Sequence, residues 1–100
     1  MTDRLRFHPL VVDDLRQAID WYDDISIELG NRFRHLVNSR FDEIEARPRF
    51  FATAFEDVRF ALVPRFPYLI LFRELSTAVE VIGVFHSASD PKKWRKRAAT

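Results

Sequence analysis

Residues 58–97, VRFALVPRFPYLILFRELSTAVEVIGVFHSASDPKKWRKR, decide the fold. Three runs within them, Val58 to Arg65, Phe66 to Leu75 and Ala78 to Ser87, are rich in the β-branched and aromatic residues that fill a pleated surface. They follow one another with links too short for a crossover, so the sequence predicts an antiparallel meander. Pro64 and Pro67 fall in the first turn, with Pro67 entering its strand, and Ser76-Thr77 make the second. After His86 the chain reads Ser-Ala-Ser-Asp90-Pro91, where Asp90 suits a helix N-cap and Pro91 the first helical position, which has no amide bond to lose. A short basic helix is expected to follow, with Trp94 on one side and Lys92, Lys93, Arg95, Lys96 and Arg97 around it.

Upstream, Arg4 to His8 alternate, with Leu5 and Phe7 on one face and Arg4, Arg6 and His8 on the other, the pattern of a half-buried edge strand. Pro9 then suits the start of a helix whose early acids, Asp13 and Asp14, complement its dipole. Val12, Leu15, Ile19, Tyr22 and Ile25 recur at helical spacing, broadened by Ala18 and Trp21. A second stripe, Leu29, Phe33, Leu36, Val37, Phe41 and Ile44, runs to Pro48, and the break between the two helices falls near Asp23 to Glu28. Two adjoining amphipathic helices make a hairpin able to cover one sheet face. Phe50, Phe51 and Phe55 are too apolar for a free linker, and Thr53 to Phe55 reads as a short extra strand. The expected fold class is α+β, in the order β-α-α-β-β-β-α. It has an N-terminal strand, a helical hairpin on a mostly antiparallel curved sheet and a short basic C-terminal helix, with residues 1–100 as a single domain.

At 100 residues and 47% hydrophobic content the chain has room for one core. It has no cysteine, which excludes a disulfide framework and a cysteine metal site and fits an intracellular setting. The opening MTDRLRF lacks the apolar run of a signal peptide, and no stretch approaches the roughly 20 apolar residues that span a membrane, so the expected location is the cytoplasm. The net charge of +1 conceals an asymmetry: residues 1–57 carry 8 Arg against 12 Asp and Glu, and residues 58–100 carry 8 basic against 3 acidic. All three lysines lie between Lys92 and Lys96, so the positive end is local. Such an end meets an acidic partner or a polyanion, or is simply a solvated helix face.

The element order and several local signatures together resemble the RelE/ParE toxin superfamily of bacterial toxin–antitoxin pairs and plasmid-stabilisation systems. The signatures are His8-Pro9, AIDWY at Ala18 to Tyr22, Pro48 after the second helix, Val58-Arg59, and RFPYLILF at Arg65 to Phe72. The most specific is the ending. His86, Asp90-Pro91, Trp94 and Arg97 match the His-x-x-Arg-Asp-Pro-x-x-Trp-x-x-Arg ending of the ParE-like branch, with Ser89 in place of the usual arginine. The resemblance implies a toxin held inactive by a cognate antitoxin. ParE-like members are associated with inhibition of DNA gyrase, whereas RelE-like members enter the ribosome and cut messenger RNA. Because Ser89 departs from the motif, a non-toxic antitoxin-binding relative is a third reading.

Cleaving RNA through its 2′-hydroxyl needs a proton acceptor, a proton donor and positive charge on the phosphate, and the candidates are Arg59, Arg65 and His86. If Val58, Phe60 and Leu62 pack beneath the hairpin, Arg59 and Arg65 share the opposite, open face. Each candidate has a second reading: Arg59 as an ion-pair partner of Glu56 or Asp57, Arg65 as a solvated turn residue, and His86 as a hydrogen-bond partner of the connecting backbone. The tyrosines are Tyr22 and Tyr68, and no lysine lies in the sheet, so the cleavage set looks incomplete. The residues expected to meet a target or antitoxin are Arg59, Arg65, His86, Trp94, Arg95 and Arg97, with Trp94 alternatively packed on the sheet edge. His8, His35 and His86 are scattered without metal-ligand spacing, and the two glycines, Gly30 and Gly83, form no phosphate loop, so no cofactor or metal is expected. Gly83 marks a bulge or a close packing contact. The expectation is therefore a gyrase-binding toxin with a cognate antitoxin, and a ribosome-dependent mRNA endonuclease is the alternative.

Overall fold

The computed structural model describes residues 4–100; residues 1–3, part of the domain span expected above, lie outside the described residues. Strands β1 (Leu5–Phe7), β2 (Thr53–Phe55), β3 (Val58–Leu62), β4 (Tyr68–Glu74) and β5 (Val79–His86) form one sheet in the order β1-β5-β4-β3-β2. From β2 to β5 every pairing is antiparallel, and β1 joins β5 in parallel. The meander is as expected. The Thr53–Phe55 strand is present, and the β4–β5 turn closes on Ser76-Thr77 through Leu75 N to Ala78 O at 2.8 Å.

Helices α1 (Val11–Ile25) and α2 (Ile27–Ala46) form the hairpin. Ser26 separates them and caps α2, its hydroxyl accepting from Leu29 N at 3.0 Å. At Gly30, where the two helices approach, a Cβ would lie 1.6 Å from Asp23 Oδ1, so a larger residue there has to displace the Asp23 side chain. The α2 stripe buries Phe33, Val37, Phe41 and Ile44 as expected. The α1 stripe is rotated from the expected one. Val11, Ala18 and Tyr22 are buried, while Val12, Trp21 and Ile25 face outward at 59%, 66% and 62% exposure. With the helix turned this way, the Asp14 carboxylate points in and accepts from Val84 N of β5 at 3.0 Å.

Both faces of the sheet are covered, which corrects the expected placement of the β3 side chains. On the hairpin side Ala61, Val63, Ile70, Phe72, Val79, Val81 and Val84 join Phe33, Val37, Phe41 and Ile44 in the main core. On the other side Val58, Leu69, Leu71 and Ile82 form a second cluster with Phe60, Phe85, Trp94 and Ala98, under helix α3 (Pro91–Ala98). Val58 and Phe60 therefore face α3, and Leu62 stays 56% exposed. The larger apolar set of β3 took the face that a basic helix covers, because β4 and β5 are apolar on both faces and need a cover on each.

The strand ends are tied by side chains. Glu45 of α2 accepts from Arg4 N at 2.6 Å and Leu5 N at 3.3 Å, which closes the outer edge of β1. The β4–β5 register shifts where Leu71 pairs with Gly83 and Phe72 with Val81, leaving Ile82 as the extra residue of a bulge. Gly83 is needed for a close approach there: a Cβ would lie 2.3 Å from Phe85 Cε2 and 3.0 Å from Arg97 Nη1.

Candidate functional site

The chain beyond β5 is organised by short-range bonds and one long-range pair. Asp90 caps α3 by accepting from Lys92 N at 3.0 Å, and Pro91 occupies the first turn. Ser89 Oγ donates to His86 O at 2.6 Å and accepts from Trp94 Nε1 at 2.9 Å, which links the end of β5 to the helix. Trp94 is half-buried against the outer sheet face, its ring 6.4 Å from that of Phe85. Packing is thus the reading that fits Trp94, on a sheet face rather than the edge.

Arg97 reaches back to α1. Its Nη1 lies 2.8 Å from Asp14 Oδ2 and its Nη2 3.0 Å from Asp14 Oδ1, and the two side chains are only 13% and 12% exposed. Nη1 also donates to Ile82 O at 3.2 Å, and Asp14 Oδ2 accepts from Val84 N at 3.0 Å. β1 pairs with β5 only as far as Val81, so from Ile82 onward the edge of β5 lacks a strand partner. The Asp14–Arg97 pair takes up that edge with side chains and fastens α1, β5 and α3 together.

The three candidate catalytic side chains are not brought together. Arg59 pairs with Phe72 in register and projects to the hairpin side, where its Nη1 donates to Phe51 O at 2.6 Å. It pairs with neither Glu56 nor Asp57; Asp57 lies 3.5 Å from Arg73 instead. Arg65 sits in the β3–β4 turn at φ 70°, exposed and without a partner among the described residues. His86 pairs with Tyr68, four positions along β4 from the partner of Arg59, which separates them by about 13 Å along the strands and by two strand spacings across. Its Nδ1 accepts from Ala88 N at 3.0 Å, so the neutral ring carries its proton on Nε2 and presents a donor, not a base. The backbone-bonding reading of His86 is the one its geometry fits.

Of the remaining expected contact residues, Arg95 is exposed, with its guanidinium 4.5 Å over the Phe55 ring. Lys92, Lys93 and Lys96 are exposed around it. Beside His86, the Tyr68 ring lies 5.2 Å away, edge to face, and burial pushes the Tyr68 phenol above its ordinary pKa. Burial, and then the charge of a neighbouring Tyr68, do the same to Tyr22. Sequence reasoning missed Asp14, which carried only the signal of an acid in a first helical turn. It also missed Arg73, which donates to Ala98 O at 3.1 Å beneath α3. No group of three or more His, Cys, Asp or Glu side chains among the described residues could hold a metal ion, and no helix of the structure is long and apolar enough to cross a membrane.

Comparison with known proteins decides the family. Toxin ParE2 of Mycobacterium tuberculosis, in two strains, is 32% identical over 92 residues, covering 91% of this chain and 88% of the relative. The chain belongs to the ParE toxin family. A solved chromosomal ParDE TA system from P. aeruginosa shares the fold of this ParE-family chain, with a TM-score of 0.70 at 16% identity over 82% of this chain and 92% of that one. No family model matches the chain.

Proposed function

We propose that this chain is the toxin of a type II toxin–antitoxin pair, that it acts in the cytoplasm by binding and inhibiting DNA gyrase, and that a cognate antitoxin holds it inactive. The toxin reading is supported by the similarity to Toxin ParE2, and an antitoxin partner by the likeness to a ParDE system. Binding rather than catalysis is supported by one observation above all: Arg59, Arg65 and His86 are dispersed, with Arg59 bonded to backbone and His86 lacking an acceptor nitrogen free for base catalysis. The outward cations, Arg65, Lys92, Lys93, Arg95 and Lys96, are free to meet an acidic partner segment, whereas Arg97 is spent on Asp14. Ser89 bonds Trp94, so the ending is assembled although Ser89 departs from the usual arginine.

The deciding experiment gives the protein, freed of antitoxin, to gyrase with relaxed plasmid and, in parallel, to programmed ribosomes with messenger RNA. Inhibited supercoiling or trapped DNA breaks with intact message is the expected result. Ribosome-dependent cleavage with gyrase untouched, abolished by His86→Ala in a folded variant, overturns it. Expression without growth arrest would return the non-toxic relative.

A further inference from the structure

α1, the end of β5 and the first turns of α3 enclose a cleft of about 310 Å³ that none of the contacts above occupies. Gln17, Tyr68, His86 and Lys93 line it together with the Asp14–Arg97 pair. Both Asp14 oxygens are taken, by Arg97 and by Val84 N, and the pair is neutral in sum. The Tyr68 hydroxyl, the Gln17 amide and the Lys93 ammonium have no hydrogen-bond partner among the described residues. His86, with Nδ1 engaged by Ala88 N, presents Nε2–H. The Tyr68 phenol, protonated at neutral pH like any tyrosine, is a donor as well. Four side chains able to donate thus line a space whose one acid is already satisfied, with Lys93 as the uncompensated charge.

We infer that this cleft is a receptor for one carboxylate group carried by an acidic segment of a partner protein. The inference rests on the reading of the chain as a protein-binding toxin. A carboxylate fits better than a nucleic-acid phosphate for two reasons. The volume lies at the small end of ligand cavities, suited to a side chain rather than a nucleotide. Single-stranded RNA is also held by bases stacked on open aromatic faces, and the rings here are in use. Tyr68 is packed edge to face on His86, Tyr22 and Phe33, and Phe85 lies under the Arg97 guanidinium at 4.9 Å. Ala18, Val84 and Phe85 instead supply an apolar lining for the methylenes of a glutamate.

The test titrates the full chain with three blocked or free tripeptides while following the His86 imidazole by NMR. They are acetyl-Ala-Glu-Ala-amide, acetyl-Ala-Ala-Ala with a free C-terminal carboxylate, and acetyl-Ala-Gln-Ala-amide. Saturable shifts with a dissociation constant of about 1 mM are expected for one or both carboxylate peptides, and their ranking tells a side chain from a chain terminus. Tyr68→Phe, which keeps the ring, and Lys93→Ala, at an exposed position, should each weaken that binding about three- to tenfold. Equal binding of the Gln peptide overturns the proposal. So does carboxylate affinity unchanged in both variants, or a short single-stranded RNA that shifts His86 at lower concentration than either carboxylate. Growth arrest on expression reports separately on the toxin reading, so the cleft can fail while that reading stands.

Discussion

Replacing Arg97 by alanine removes three hydrogen bonds at once, two of them to a carboxylate that is 12% exposed and one to Ile82 O. Asp14 is then left with the Val84 amide as its one donor. Removing one partner of a buried ion pair costs about 3–5 kcal/mol, because the remaining charge stays desolvated and unpaired. A small domain holds only about 5–15 kcal/mol in all. At about 4–8 °C per kcal/mol for a chain of this size, the melting temperature should fall by more than about 12 °C. Thermal unfolding followed by circular dichroism reads the fall, and hydrogen exchange locates it: the amide of Val84 and those of α3 should lose protection before the hairpin does. The double variant Asp14→Asn with Arg97→Met removes both charges and should be less unstable than the sum of its single variants. An Arg97→Ala melting curve that overlays the wild type, or single effects that add without coupling, would refute the account of this pair as the clasp between α1, β5 and α3.

Phe33 is fully buried among Tyr22, Phe66 and Tyr68, so Phe33→Ala should cost about 3–5 kcal/mol by chemical denaturation. Gly83→Ala forces its Cβ against the Phe85 ring and Arg97, and should cost about 1–3 kcal/mol while loosening α3 in hydrogen exchange. Tyr22 and Tyr68 have phenol pKa values raised by burial, so the stability they contribute is complete below the ordinary phenol value of about 10 and is lost as pH rises through the raised values. Unfolding midpoints measured from pH 8 to 12 should fall less steeply in the Tyr22→Phe, Tyr68→Phe double variant than in the wild type.

The meander and the hairpin were legible because each rests on a local period: alternation or apolar runs in the strands, and three- and four-residue spacing in α2. The face assignment of β3 was not, since alternation says which residues share a face but not which cover that face takes. The missed signal lay one strand further on. YLILF at Tyr68 to Phe72 is apolar without alternation, the mark of a strand buried on both sides, and it required a second cover that only α3 could supply. The rotation of α1 and the clasp go together in the structure, and no local pattern carries either. Asp14 and Arg97 lie 83 positions apart, and an acid in a first turn looks the same whether it serves the helix dipole or a buried arginine. β1 was legible as an edge, but its parallel direction depends on a pairing with β5 that the sequence leaves unspecified.

The ending that carries the family resemblance is, residue by residue, a device for closing the fold. His86 bonds Ala88 N through its ring and Ser89 through its carbonyl; Ser89 holds Trp94; Asp90 and Pro91 start the helix; Arg97 completes the edge of β5. Trp94 and Arg97 are turned onto the sheet, and the arrangement comes where β1 stops pairing and β5 bulges at Ile82 to Gly83. Trp94 and Arg97, engaged in this way, are poor places to look for target specificity. What the same helix turns outward is Lys92, Lys93, Arg95 and Lys96, none of which the fold holds by an ion pair among the described residues. A motif can therefore report the family while the positions between its letters choose the partner, and substitutions that separate partner binding from stability should fall among those four cations, not at Trp94 or Arg97.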